Sequence, residues 1–301
     1  MINTYELNKG ENYDADGRNL KYFLLNNCYY ANSITLEDNN VPTITSLSYM
    51  FSPYTEDGEA PSDPEPFSWI KDITFVNFNT SLVINASYMF AGCKNLVNIT
   101  DFNTSNITDM SYMFNSCGSL INIPNLDTSN VINISGIFLG CYRLSVAPNL
   151  DTSKVTNMCS MFNGCWNLTS IPNYDTSKVS GMWDMYGMFY GCRNLITAPN
   201  FDIGNATTVA NMFYNCRNLT TVPQYDMSSV INAINMFCRC NNLTDASLQN
   251  IINSCLNSRI TNSQRKTLRT SDTYSLFYNT NISSSRYENR WSELTAAGWT
   301  Y

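Results

Sequence analysis

The sequence contains no histidine, the side chain most often used as a general base, a proton shuttle or a metal ligand. Charged side chains make up only 14% of its 301 residues, and the net charge is −7. Nucleic-acid binding needs a basic face that displaces counterions, so this composition excludes nucleic acid as a partner. No run of about 18 apolar residues occurs, and we therefore predict no membrane insertion.

The first residues lack the basic and apolar regions of a secretory signal, so we expect synthesis in a cytosol. Hydrophobic residues reach 44%, which is enough for a packed core and excludes general disorder. The eleven cysteines are an odd number, and this argues against a complete disulfide framework.

Three residue types recur in one register with a period of 24 residues, apart from one step of 27. Cysteine stands at Cys93, Cys117, Cys141, Cys165, Cys192, Cys216 and Cys240. A phenylalanine precedes each cysteine by three residues and a leucine follows each by three, as in Phe162, Cys165 and Leu168. The motif around Phe51 marks an earlier eighth unit. Such synchronous columns indicate a repeat protein.

Each 24-residue unit predicts a short extended segment, a polar turn and an apolar turn. Pro148 disfavours a helix after the leucine, and Asp151-Thr-Ser153 has the side chains of a tight turn. The spacing of Val155, Met158, Met161 and Phe162 favours a helical or 3₁₀ turn with one apolar face. Glycine or asparagine before most of the cysteines favours a positive φ at that point.

A single unit cannot bury its own apolar residues, so neighbouring units must stack. We predict a curved, leucine-rich-repeat-like α+β solenoid of about eight 24-residue coils, with short parallel strands and short helical or 3₁₀ turns. The expected domains are an N-terminal cap at residues 1–40, the solenoid at 41–245 and a C-terminal helical cap at 246–301. The acidic, proline-rich stretch 52–66 predicts an inserted loop.

The cap predicted at 246–301 contains two expected helices. Thr244 and Asp245 can cap the first, whose apolar face would carry Leu248, Ile251, Ile252, Cys255 and Leu256. The second should begin near Tyr287 and end near Ala297.

The phrase Met-Phe-x-Gly-Cys-x-x-Leu, followed by Asp-Thr-Ser-x-Val-x-x-Met, resembles the BspA-like leucine-rich repeats of bacterial surface proteins. The resemblance covers roughly residues 41–245. It implies a leucine-rich-repeat solenoid, and the family includes adhesins, surface lipoproteins and proteins encoded by bacteriophages. The ending from Leu294 to Thr300 resembles the caps of the phage-encoded members. The expected absence of a signal peptide and of an anchor also favours the phage-encoded type.

The repeated cysteines and the repeated aspartates each allow two interpretations, one as a chemical site and one as a structural part of the repeat. The cysteines could bind metal or form disulfides, but buried cysteine most often acts as a small apolar residue. Asp127, Asp151, Asp175, Asp202 and Asp226 could bind calcium or act as acid–base pairs. Asparagine replaces them at Asn79 and Asn103, which a turn tolerates and a catalytic acid does not. We therefore predict no catalytic residue, metal or cofactor.

The position immediately after each cysteine varies while its surroundings repeat. It is occupied by Lys94, Gly118, Tyr142, Trp166, Arg193, Arg217 and Asn241. Tyrosine, tryptophan and arginine are enriched at binding hot spots, so Lys94, Tyr142, Trp166, Arg193 and Arg217 are candidate contact residues. The alternative is that these are solvent positions free to drift, with Trp166 and Arg193 merely stacked.

The step of 27 residues predicts a bulge that contains Trp183 and Tyr186. An exposed aromatic pair in an insertion often marks an interface, and packing within the bulge is the alternative. Both residues join the candidate contact surface.

These observations predict a non-catalytic interaction scaffold. The favoured hypothesis is a bacteriophage virion-associated protein, assembled in the host cytoplasm, that serves tail or capsid attachment or host-receptor binding. Its partners would be other virion proteins or a host-surface protein or polysaccharide, and it could be an oligomer within a larger assembly. One alternative is an adhesin at the bacterial cell surface. Another is an intracellular phage factor that binds a host protein.

Overall fold

The computed structural model describes residues 2–7, 18–28, 31–38, 44–54, 66–181, 183–258, 276–277 and 290–297. The chain divides into two units, Met1–Leu144 and Ser145–Tyr301. The inserted segment 52–66 lies mostly outside the described residues, as does the predicted start of the last helix at Tyr287. Within the described parts, no helix has the length and apolar character needed to cross a bilayer.

The first unit opens with a parallel sheet. Strands β1 (Ile2–Leu7), β2 (Ser33–Asp38), β3 (Asp72–Val76) and β4 (Asn98–Ile99) lie side by side in that order. Helix α1 (Arg18–Cys28) connects β1 to β2, because parallel neighbours need a crossover. Its buried residues Leu20, Leu24 and Cys28 are four apart and form one apolar stripe. The segment predicted as a cap thus extends the sheet to which the repeats contribute.

The apolar segment of each repeat is neither helix nor strand. In the repeat of Phe162, the N–H groups of Met158, Ser160, Phe162 and Gly164 donate to the following repeat. The alternate N–H groups, such as those of Met161, Asn163 and Cys165, close local turns to the third residue back. This pattern replaces the expected helical or 3₁₀ turn, since half of the donors bond outside their own repeat.

In the seven repeats that contain a column cysteine, two residues of this segment have a left-handed backbone. In the repeat of Phe162 these are Ser160 with φ 54° and Gly164 with φ 77°. The predicted positive φ before the cysteine is confirmed at Gly92, Gly140, Gly164, Gly191 and Asn215. Positive φ interrupts any right-handed helix and turns the chain toward the next side of the repeat.

Phenylalanine rings form a continuous stack inside each unit. In the first unit, the rings of Phe51, Phe90, Phe114 and Phe138 follow one another with centroids 5.3–5.8 Å apart. In the second unit, Phe162, Phe189, Phe213 and Phe237 do the same at 5.5–5.8 Å. All eight side chains are buried. The rings are nearly parallel, with interplanar angles of 6–9° between successive repeats.

The cysteine column is part of the core, as predicted. The seven cysteines are fully buried and free of disulfides. The thiol of Cys117 donates to the carbonyl oxygen of Phe90 in the preceding repeat at 3.1 Å, and Cys216 donates likewise to Phe189 at 3.1 Å. Burial raises the pKa of both thiols, so they stay protonated and act as donors. Each thiol therefore links two repeats as well as filling space.

The aspartate row consists of turn caps, which confirms the prediction that these side chains stabilise turns. The Oδ1 atoms of Asp127, Asp151, Asp175 and Asp226 each accept the backbone N–H two residues later, at 2.9–3.0 Å. The hydrogen bonds to Ser153 lower the pKa of Asp151. Asn79 and Asn103 accept the same bond from Ser81 and Ser105. An amide oxygen serves as well as a carboxylate here, which explains the replacement.

The described C-terminal part holds helix α2 (Asp245–Leu256) and helix α3 (Trp291–Ala296). Thr244 caps α2 by accepting the N–H of Ser247, as predicted. The predicted stripe is buried at Leu248, Ile251, Ile252 and Cys255, whereas Leu256 is half-buried. The hydroxyls of Ser247 and Ser254 in α2 accept the N–H groups of Val222 and Tyr225.

Candidate interaction surface

A tight turn places the residue after each cysteine on the surface. The N–H of Trp166 donates to the carbonyl of Gly164 at 2.9 Å, and Lys94 and Tyr142 make the same bond to Gly92 and Gly140. The turn keeps Cys165 inside and leaves the next side chain outside. Lys94, Tyr142, Trp166, Arg193, Arg217 and Asn241 are all exposed.

In the second unit, Trp166, Arg193 and Arg217 occupy three successive repeats. The N–H of Asn194 donates to the carbonyl of Trp166, and that of Asn218 donates to the carbonyl of Arg193. The guanidinium carbon of Arg193 lies 4.6 Å from the centroid of the Trp166 ring. Such a cation–π contact contributes about 0.5–1 kcal/mol at an exposed site and holds the guanidinium in place.

Arg217 is also held in place. Its Nε donates to Oδ1 of Asn215 at 2.9 Å, which fixes the plane of the guanidinium and leaves both terminal nitrogens available. Asn215 has a positive φ of 62°, a conformation that asparagine tolerates better than most residues. Arg217 is thus positioned by its own repeat rather than by its neighbours.

In the first unit the column after the cysteines consists of Lys94, Gly118 and Tyr142. The Tyr142 ring lies over Gly118, where an added Cβ would be 3.1 Å from the Tyr142 ring. Glycine is therefore the residue that lets this ring lie flat on the neighbouring repeat. Lys94 and Tyr142 share the exposed column of the first unit, with Gly118 between them.

A column of asparagines runs beside the arginines and was missed in the sequence-based prediction. Asn167, Asn194, Asn218 and Asn242 follow the variable position in four successive repeats, and all are exposed. The amide nitrogen of Asn194 lies 3.4 Å from Oδ1 of Asn167, and that of Asn242 donates to the carbonyl of Arg217 at 2.9 Å. The recurring Cys-x-Asn-Leu phrase was the signal that could have identified it.

The bulge at the step of 27 residues is fastened by a buried carboxylate. Asp184 is 2% exposed, and it accepts the N–H groups of Thr207 at 2.7 Å and Met185 at 2.9 Å. Desolvation raises its pKa, and the backbone hydrogen bonds oppose that rise. Trp183 is exposed and meets the half-buried Tyr186 edge-on at 5.3 Å. Asp184 therefore holds the backbone next to Trp183 in place.

Among the described side chains, no group of three or more cysteine, aspartate or glutamate residues could hold a metal ion. The ladder thiols are buried donors and the row of aspartates caps turns, as described above. The exposed polar groups of the two columns in the second unit are guanidinium and amide groups.

A repeat protein with a constant core and a variable exposed column is the class that these features define. A family model described as "Mycoplasma protein of unknown function, DUF285" matches residues 65–147 and 144–251. The two matches together span more than half of the 301 residues, and the chain belongs to the DUF285 family. No curated protein matches the chain.

Proposed function

We propose that this protein is a non-catalytic interaction scaffold, a leucine-rich-repeat-like solenoid that binds its partner through the exposed column after the cysteines. The observation that carries the proposal is the exposure of Trp166, Arg193 and Arg217 at the same position of three successive repeats. Residues that only maintain the core are uniform from repeat to repeat, whereas this column carries the residue types enriched at hot spots.

The burial of the remaining reactive groups supports a scaffold over an enzyme. The thiols of the cysteine column donate to carbonyl oxygens inside the core, and their raised pKa opposes a nucleophilic thiolate. The carboxylates of the aspartate row accept backbone N–H groups of their own turns. Neither row presents a nucleophile next to a base.

For the biological setting, we propose association with a bacteriophage virion. The support is the resemblance of the repeats and of the segment from Leu294 to Thr300 to phage-encoded members of the BspA-like group. On this proposal the exposed column contacts another virion protein or the host surface.

Co-sedimentation tests both parts of the proposal. The purified chain is mixed with intact virions and, separately, with intact cells of the source organism, and the bound fraction is measured. We expect the chain to sediment with virions and the double variant Trp166→Ala/Arg193→Ala to lose most of that binding at unchanged thermal stability.

Lys154→Ala/Lys178→Ala is the matched control, because it removes exposed side chains of the same unit away from the column. Binding that survives Trp166→Ala/Arg193→Ala, or that falls equally in the control, would contradict the proposed surface. Binding to cells alone would favour the adhesin alternative.

A further inference from the structure

Arg193 and Arg217 carry positive charges that no carboxylate of the described residues neutralises. Neither arginine forms an ion pair with a described residue. Lys154 and Lys178 in the same unit differ, because each lies near an aspartate whose pKa it helps to lower, Asp151 and Asp175 respectively. The two arginines stand in adjacent repeats, whose backbones are about 4.8 Å apart where they pair. Two positive charges in adjacent repeats without a described carboxylate partner favour a ligand that brings negative charge.

Both guanidinium groups keep the donors that bind a carboxylate. The contact of Arg193 with the Trp166 ring is a cation–π contact and not a hydrogen bond, so it does not use up the N–H donors of the guanidinium. Arg217 uses only Nε, so its two terminal nitrogens remain for a fork-shaped contact. Because both groups are already positioned, binding would order few additional torsions.

The asparagine column adds groups that suit hydroxyls. Asn167, Asn194 and Asn218 present exposed amides beside the arginines, and an amide both donates and accepts hydrogen bonds. A sugar hydroxyl has the same dual character. Trp166 is the one large apolar side chain of these two columns in the second unit, and it is 41% exposed, so it offers apolar surface to the C–H groups of a sugar ring.

We infer that this face, defined as Trp166, Arg193, Arg217, Asn167, Asn194 and Asn218, binds a carboxylated polysaccharide. The carboxylates pair with the two arginines, and neighbouring hydroxyls bond to the asparagine amides. The inference rests on the proposed function and specifies its partner. Arginine clusters also bind acidic peptides, so the choice of ligand rests on the asparagine column, whose exposed amides match sugar hydroxyls that an acidic peptide lacks.

The test measures binding of the whole chain to three immobilised polymers: polygalacturonate, which carries carboxylates and hydroxyls, neutral dextran, and poly-glutamate. We expect binding to polygalacturonate, with little to dextran and weaker binding to poly-glutamate. The double variant Arg193→Gln/Arg217→Gln should bind polygalacturonate at least about tenfold more weakly, since charge-assisted bonds are the strong ones. Asn194→Ala/Asn218→Ala should weaken binding to polygalacturonate more than binding to poly-glutamate.

Lys154→Gln/Lys178→Gln removes the same charge from the same unit and should leave the affinity within about twofold, because exposed charges at a distance are screened by salt. All variants change exposed side chains, and circular dichroism confirms their folding. Equal or tighter binding of poly-glutamate, equal loss in the lysine control, or no binding to polygalacturonate would overturn the inference. If co-sedimentation still depended on Trp166 and Arg193 in that case, the proposed interaction scaffold would be retained and only the polysaccharide ligand would be rejected.

Discussion

Each unit has a core of the same kind, and the two units differ in the position of their outer ring stack. In the first unit, Tyr49, Tyr88 and Tyr112 stand two residues before the core phenylalanine and stack at 4.7 and 4.8 Å. In the second unit, Tyr190 and Tyr214 stand one residue after the phenylalanine and stack at 4.5 Å. The repeat therefore fixes the backbone and the core, and each unit uses different outer positions for its aromatic side chains.

The position two residues before the phenylalanine shows why the difference matters. Its φ is 56–58° at the three tyrosines of the first unit and 54–58° at Ser160, Gly187, Asn211 and Asn235 of the second. A left-handed conformation costs a non-glycine residue about 1–2 kcal/mol. Ring stacking contributes about 0.5–1.5 kcal/mol per pair, which is enough to offset that cost only where the rings have neighbours.

The largest effect tests whether the cores are equivalent. Phe114→Ala in the first unit and Phe213→Ala in the second each remove a buried ring that stacks on both faces. We expect both to lower the free energy of unfolding by about 3–5 kcal/mol, measured by denaturant titration. Phe→Leu at each site is the milder control. A difference of several kcal/mol between the two alanine variants would break the equivalence.

A glycine pair isolates the tyrosine stack. Gly136 and Gly187 are equivalent residues with φ 59° and 58°, but a Cβ at Gly136 would lie 2.4 Å from the Tyr112 ring. The nearest atom to a Cβ at Gly187 would be Oγ of Ser160 at 3.7 Å. We expect Gly187→Ala to cost about 1–2 kcal/mol from backbone strain alone, and Gly136→Ala about 1–3 kcal/mol more. Thermal and denaturant unfolding measure both.

Removing the ring supplies the control for this pair. In a Tyr112→Ala background, Gly136→Ala should cost no more than Gly187→Ala, because the clash partner is gone. An undiminished cost would show that the ring is not its cause.

The thiol bonds predict a smaller effect that should be the same in both units. Cys117→Ala and Cys216→Ala each remove a donor to a phenylalanine carbonyl and leave a small void. The carbonyl keeps its local N–H partner, so we expect a loss of about 1–2 kcal/mol at either site in denaturant unfolding. Serine retains a donor at both positions, and a serine variant less stable than the alanine variant would argue against the hydrogen bond as the main contribution.

The smallest effect concerns the ionisation of the stacked tyrosines. Burial, with the neighbouring Tyr112 and Tyr49, raises the pKa of Tyr88 to about 12. Tyrosine in an unfolded chain ionises near pH 10, so the folded state holds this proton more tightly. Stability from this group is therefore complete below about pH 10 and is lost as the pH rises toward 12. Burial also raises the pKa of Tyr174, Tyr214 and Tyr225, so ultraviolet titration of the phenolates should show several late ionisations, of which Tyr88→Phe removes the one near pH 12.

Tyr214 provides the comparison in the second unit. Burial also raises its pKa, but the positive charge of the neighbouring Arg239 opposes the rise. Arg239→Gln should therefore delay the ionisation of Tyr214, whereas the transition of Tyr88 should not move. An unchanged Tyr214 transition would show that the charge of Arg239 does not lower the pKa of Tyr214.

Much of the repeat was predictable because its signals are local or periodic. Phe162, Cys165 and Leu168 are buried as their period predicts, and Thr244 caps α2 as its side chain predicts. The turn at Asp151 follows from Asx chemistry within three residues. For the candidate site, the sequence identified an exposed column, and the contact between Trp166 and Arg193 that the alternative interpretation expected is present.

The rest depends on contacts between distant residues. The apolar spacing from Met158 to Cys165 fits a helical turn and the observed turns equally well, and bonds to the next repeat favour the latter. The pairing of β1 with β2 depends on residues about thirty apart in the chain. Asp184 departs from its equivalent Asn157 by a single atom, yet it bonds to Thr207 because three extra residues shift the backbone.

The thiol that donates to a carbonyl in the preceding repeat makes each cysteine a built-in reporter. An alkylating reagent at neutral pH reacts with thiolate, and a buried protonated thiol offers none until its repeat opens. The rate of labelling at Cys117 or Cys216 would then follow the local opening of its own stretch of chain. A time course followed by peptide mass spectrometry would show, for each cysteine, which part of its unit opens first.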